Sequence, residues 1–106
     1  MPWFLQQYED VRGERTVEKF LNSLPENDRG TIKAKLHYLK ERGNVLREPL
    51  SKSLGGGLFE LRVKSYRLFF CFKPGNRIVI LHTFTKKGQR TPRRELELAR
   101  KRMQEV

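Results

Sequence analysis

A single cysteine, Cys71, is present among 106 residues, so no internal disulfide can brace the fold. It lies inside an apolar strand-like run with no neighbouring His or Cys, which reads as an inert buried side chain rather than a nucleophile or a metal ligand. The chain has only two histidines, His37 and His82, too few for a convincing acid/base pair or a zinc constellation. No run approaches the roughly 18 to 20 consecutive apolar residues that a membrane-spanning helix needs. Met1-Pro2-Trp3-Phe4-Leu5-Gln6 lacks the charged start and apolar stretch of a signal peptide, so the expected location is the cytoplasm, with no membrane partner. Gly55-Gly56-Gly57 is not followed by the Lys-Ser/Thr of a phosphate-binding P-loop. It reads instead as a flexible entry into a strand. Internal repeats and low-complexity linkers are lacking as well.

Negative charge is scarce. There are 23 Lys+Arg against 12 Asp+Glu, giving a net charge of +11 and a pI near 10.3. That balance favours a polyanionic partner and leaves nucleic acid, an acidic protein and anionic lipid open. The length suits one domain over residues 1–106, because about 100 residues bury one core.

Trp3 to Tyr8 is aromatic-rich and reads as a first strand. Val17, Phe20, Leu21 and Leu24 have the i, i+3, i+4, i+7 spacing of an amphipathic helix over Glu14 to Leu24. Pro25 interrupts it, and Asn27-Asp28 offer caps for a second helix running to about Arg42, where Gly43 can stop it in a left-handed conformation. The pair predicts a helical hairpin whose apolar stripes need a sheet to cover them. Residues 44–57 read as a loop. Phe59, Leu61 and Val63 then alternate with Glu60 and Arg62, and Leu68, Phe70 and Phe72 alternate with Arg67, Phe69 and Cys71. Lys64-Ser65 and Pro74-Gly75 supply the turns of a three-stranded antiparallel meander ending in Arg77 to Phe84. Ile78 to Leu81 are apolar on both faces, which predicts a central strand covered on both sides. Thr91 can cap a last helix with Pro92 in its first turn, and Leu96, Ala99 and Met103 give it a narrow apolar stripe. Glu97 and Lys101 are spaced for an ion pair.

Glu60, Arg62 and Arg67 fall on the strand face opposite the predicted core, so a half-buried sheet would present two guanidinium groups side by side to an anion. The competing reading is a surface salt bridge between Glu60 and one of the arginines. Lys86 and Lys87 leave the last strand where side chains can curl over that face. His82 reads as packed or at the solvent edge, His37 as surface, and Tyr66 as a packed ring with its hydroxyl at the rim. Lys52, Lys64, Arg90, Arg93 and Arg94 extend the basic character and are candidate nucleic-acid contacts.

The succession Gly57-Leu58-Phe59-Glu60-Leu61-Arg62, Tyr66-Arg67-Leu68-Phe69-Phe70, Leu81-His82-Thr83-Phe84-Thr85-Lys86-Lys87 and Thr91-Pro92 resembles the RelE/HigB toxins, particularly their phage-derived Gp49-like branch. That resemblance implies an α+β fold, a helical hairpin packed on a mainly antiparallel sheet of about four strands with a C-terminal helix. It also implies a ribosome-dependent endoribonuclease that needs no cofactor, cuts mRNA, and is silenced by a cognate antitoxin, expected to be a helix-turn-helix protein. By the same resemblance Arg67 would hold the scissile phosphate, Arg62 would lie beside it, and Lys86 or Lys87 would fill the basic position at the strand's exit. Several relatives carry a tyrosine, or a histidine with an acidic partner, near the start of the final segment; this chain has Gln89-Arg90-Thr91 there. A gyrase-inhibiting toxin of the ParE type and a catalytically inactive RNA- or antitoxin-binding module are the rival readings.

Overall fold

The computed structural model describes residues 3–46 and 50–106. Met1, Pro2 and residues 47–49 of the expected loop lie outside the described residues. Along the chain come β1 (Phe4–Gln7), α1 (Thr16–Asn22), α2 (Glu26–Arg42), a short 3₁₀ turn (Gly43–Val45), β2 (Ser51–Gly55), β3 (Leu58–Val63), β4 (Tyr66–Lys73), β5 (Arg77–Thr85) and α3 (Arg93–Glu105). The strands form one sheet in the order β1-β5-β4-β3-β2, with β1 parallel to β5 and the other pairs antiparallel. The expected α+β hairpin-on-sheet architecture is therefore present, with five strands rather than four. The additional strand is β2, taken from the segment read as loop. Ser51-Lys52-Ser53 carries no apolar alternation, and its strand geometry comes from pairing with Glu60, Phe59 and Leu61 on β3. The three glycines form its tight turn into β3, each with positive φ.

Both helix starts differ in detail from the expected caps. Pro25 occupies the cap position of α2 and Pro92 that of α3, and neither helix start has a side-chain cap hydrogen bond. Asp28 is thus inside the first turn of α2 and its carboxylate is free for other work. Gly43 does end α2, with φ +55, and a Cβ there would fall 1.9 Å from Nε1 of Trp3. Glu97 pairs backward with Arg93, not forward with Lys101.

The sheet is covered on both faces. On one, α1 and α2 bury Val17, Leu21, Ile32, Leu36 and Leu39 against Leu61, Leu68, Phe70, Ile78 and Ile80. On the other, α3 lays Ala99, Leu96 and Met103 over Leu58, Phe69, Cys71, Val79, Leu81 and Phe84. The fully buried rings of Phe69 and Phe70 face opposite ways, each contributing roughly 2 to 3 kcal/mol of burial to its own core. Arg62 and Arg67 project from the α3 side, so their face is not the solvated one the alternation suggested. The expectation for Ile78 to Leu81 holds in that β5 is an interior strand, between β1 and β4, and these four residues are buried. Cys71 is buried as well, and desolvation pushes its thiol above the ordinary range, in keeping with an inert side chain.

Candidate nucleic-acid interface

The β3–β4 turn is the hub of the site. Val63 and Tyr66 are paired across two residues, Lys64 and Ser65, and Lys64 adopts φ +55, on the positive side that two-residue hairpin turns require. One pair further along the ladder from this turn, Arg62 and Arg67 lie opposite each other on neighbouring strands, which places their side chains on one face. Nη1 of Arg67 curls back to donate to the carbonyls of Lys64 and Tyr66, both at 2.8 Å. Half of its planar fork is thereby spent on the turn. Its Nε is buried and has no partner among the described residues. Nη2 makes no hydrogen bond among the described residues either.

Arg62 behaves differently. Its Nε donates to Glu60 Oε1 at 2.8 Å, and Glu60 is only 2 % exposed against 33 % for the arginine side chain. The salt bridge foreseen as an alternative is real, with Arg62 as the partner, but it is half-buried rather than a solvated surface pair. Such a pair fixes the guanidinium while leaving its other nitrogens available.

Lys86 reaches the same hub through its backbone, its N–H donating to Ser65 O at 2.7 Å. The structure therefore brings Arg62, Arg67 and Lys86 around one turn, with Lys87 exposed just beyond. Lys64 is in the turn too, but its Nζ is held by Asp28 Oδ1 at 2.6 Å. Asp28 Oδ2 accepts from the Tyr66 hydroxyl at 2.6 Å. The Lys64 bond, and after it that of Tyr66, keeps the Asp28 carboxyl below its ordinary range, and Tyr66 is raised in return. Lys52 sits exposed on β2 opposite Glu60, one row from the arginines. Arg90, Arg93 and Arg94 are exposed along the connection into α3, and Arg93 is occupied by Glu97 at 3.0 Å.

Reading the sequence missed a second polar cluster on the same face, beginning at His82, which stacks on Phe84, the residue opposite Arg67. Across β4 and β5 the register shifts between Phe69 and Phe70, so Leu81 has no opposite number. This bulge puts His82 on the α3 side while Ile80 stays in the hairpin core, breaking the alternation that linked them. His82 Nε2 lies 2.8 Å from Glu95 Oε1, and Arg102 donates to Leu81 O at 2.9 Å. Arg102 also lies over the Tyr8 ring at 4.7 Å, and the Tyr8 hydroxyl donates to Glu105 at 2.6 Å, which raises its pKa. Both His82 and Glu95 are largely covered, so these contacts fasten α3 to the sheet. His37 is on the surface, paired with Glu41 at 2.9 Å. Among the described residues no group of three or more His, Cys, Asp or Glu could hold a metal ion, and no helix is long and apolar enough to cross a membrane.

A helical hairpin on one face of a five-stranded sheet, a helix on the other and an arginine-bearing turn between them place the chain in a defined structural class: it has the fold of the RelE toxins. That fold is seen in the archaeal RelE–RelB complex from Pyrococcus horikoshii OT3, with 21% identity, 85% of this chain and 100% of that one covered, and a TM-score of 0.63. It is seen again in a double arginine-to-alanine mutant of E. coli toxin RelE in the free state, with 19% identity, 97% and 99% of the chains covered, and a TM-score of 0.66. The chain itself belongs to the phage-derived protein Gp49-like family, whose sequence profile matches residues 19–104. No curated protein matches the sequence.

Proposed function

We propose that this protein is the toxin of a type II toxin–antitoxin pair, an endoribonuclease that cuts mRNA on the ribosome in the cytoplasm and is held silent by a cognate antitoxin. The observation that supports this most is the convergence of Arg62, Arg67 and Lys86 on the β3–β4 turn of a RelE-type fold. Cleavage in this reading uses the RNA's own 2′-hydroxyl, which attacks the adjacent phosphate. The protein must hold the backbone in line and neutralise the charge that grows on the phosphorane. Arg67 Nη2 and the free nitrogens of Arg62 are donors on rigid strands for those oxygens, with Lys86 and Lys87 adding charge at the strand exit. Lys52, Arg90 and Arg94 track the flanking RNA, while Lys64 and Arg93 do so less, being paired with Asp28 and Glu97.

The test is cleavage of a defined mRNA on purified ribosomes, with mapped RNA ends. Arg67→Ala is expected to lower the rate about 100- to 1000-fold, the usual loss when one charge-stabilising donor is removed. Wild-type cleavage by a folded Arg67→Ala protein would refute the assignment. Intact mRNA together with DNA damage on induction would favour gyrase poisoning instead.

A further inference from the structure

The geometry points to Asp28 as a positioning residue that acts on Arg67 through the β3–β4 turn, an inference that rests on the function proposed above. Asp28 belongs to a different layer from the site. It stands in the first turn of α2, on the hairpin side, yet both its carboxylate oxygens are spent on the turn that carries the arginines, at Lys64 Nζ and Tyr66 OH. Tyr66 is itself fixed, its ring 9 % exposed and set edge-on to Phe20 of α1 at 6.0 Å. Lys64 and Tyr66 flank Ser65, and each of the three supplies one backbone carbonyl to the site. Those of Lys64 and Tyr66 hold Arg67 Nη1, and that of Ser65 holds the Lys86 amide. One carboxylate therefore clamps both sides of the turn whose carbonyls aim Arg67 and anchor Lys86. Lys64 also holds a left-handed backbone that a non-glycine residue rarely adopts unaided, and its side-chain tie to Asp28 opposes relaxation of that conformation.

Charge and positioning make opposite predictions here. Asp28 is an acidic group bonded at the edge of a cationic site, so an electrostatic role alone would make its removal tighten RNA binding and leave turnover the same or faster. A positioning role makes its removal slow the chemical step, because a donor displaced by about 1 Å can cost on the order of 100-fold.

Asp28→Asn and Asp28→Ala are compared with wild type by single-turnover cleavage on ribosomes programmed with one mRNA, and, without RNA, by NMR of the Arg67 guanidinium and hydrogen exchange of the Lys86 amide. The expected result is a maximal rate reduced at least 10-fold with half-saturation unchanged or improved, faster rotation about the Arg67 guanidinium bonds, and faster Lys86 exchange. Tyr66→Phe, which keeps the ring in its packing, should reproduce part of each effect, and Asp28→Glu should restore part. Unchanged or faster turnover in Asp28→Asn, or Arg67 and Lys86 signals identical to wild type, would overturn the inference. A wild-type protein that cuts no RNA would refute the proposed function, and the Arg67 and Lys86 signals would then decide on Asp28 by themselves.

Discussion

Removing the Arg62 side chain should harm stability as well as function, because it strands Glu60. That carboxylate is 2 % exposed, and its one hydrogen bond among the described residues is the 2.8 Å contact with Arg62 Nε. A charge-assisted bond of this kind is worth about 1.5 to 3 kcal/mol, and leaving a buried charge unpaired costs about 3 to 5 kcal/mol. Arg62 is one-third exposed, so water enters when the side chain is cut away and the lower part of the combined range applies. The expected loss for Arg62→Ala is about 2 to 3 kcal/mol, or on the order of 10 to 20 °C in melting temperature for a domain of this size. Glu60→Gln removes the stranded charge, so Glu60→Gln/Arg62→Ala should recover most of the loss, with a coupling energy of about 1 to 2 kcal/mol. Urea unfolding followed by circular dichroism on wild type, both single variants and the double variant measures it, with an unchanged denaturant slope as the check that one transition is being compared. If Arg62→Ala unfolds within about 0.5 kcal/mol of wild type, the pair is a solvated surface contact and the reasoning from burial is wrong. The outcome bears directly on function. Any loss of RNA cleavage in Arg62→Ala has to be judged against the double variant, which separates a missing donor from a loosened sheet.

Gly43→Ala should cost about 2 to 4 kcal/mol, combining the left-handed backbone penalty with overpacking where the new Cβ meets the Trp3 ring; a melting temperature within 2 °C of wild type would show that Trp3 moves aside freely. Antitoxin binding is expected to protect backbone amides across residues 60 to 94 from hydrogen exchange, because an acidic or amphipathic segment lying over the basic face would compete with RNA. Protection confined to the helical hairpin would mean that the antitoxin silences the protein by bulk, keeping it out of the ribosome, and direct masking would be wrong.

The local elements were legible in the residues because their periodicity is strong. Val17, Leu21 and Ile32, Leu36, Leu39 mark the buried stripes of α1 and α2 whatever they pack against, and the meander from Leu58 to Thr85 follows from alternation and two turns. Even the burial of Ile78 to Leu81 on both sides was written in an uninterrupted apolar run. The strand pattern and the family resemblance together also grouped Arg62 and Arg67 with Lys86 and Lys87. What it could not reveal depends on contacts between residues far apart in the chain. β2 is a strand only because β3 offers a free edge, and its polar composition carries no signal of its own. The single-residue bulge at Leu81 turned His82 toward Glu95, an effect of register that no local pattern records. Asp28 reads as a helix cap by position, yet Pro25 takes that place, and folding brings its carboxylate to Lys64 and Tyr66 from 36 and 38 residues away. Periodicity reports which face of an element is apolar, whereas the partner that covers that face, and the polar groups trapped at its rim, are fixed only when the layers close.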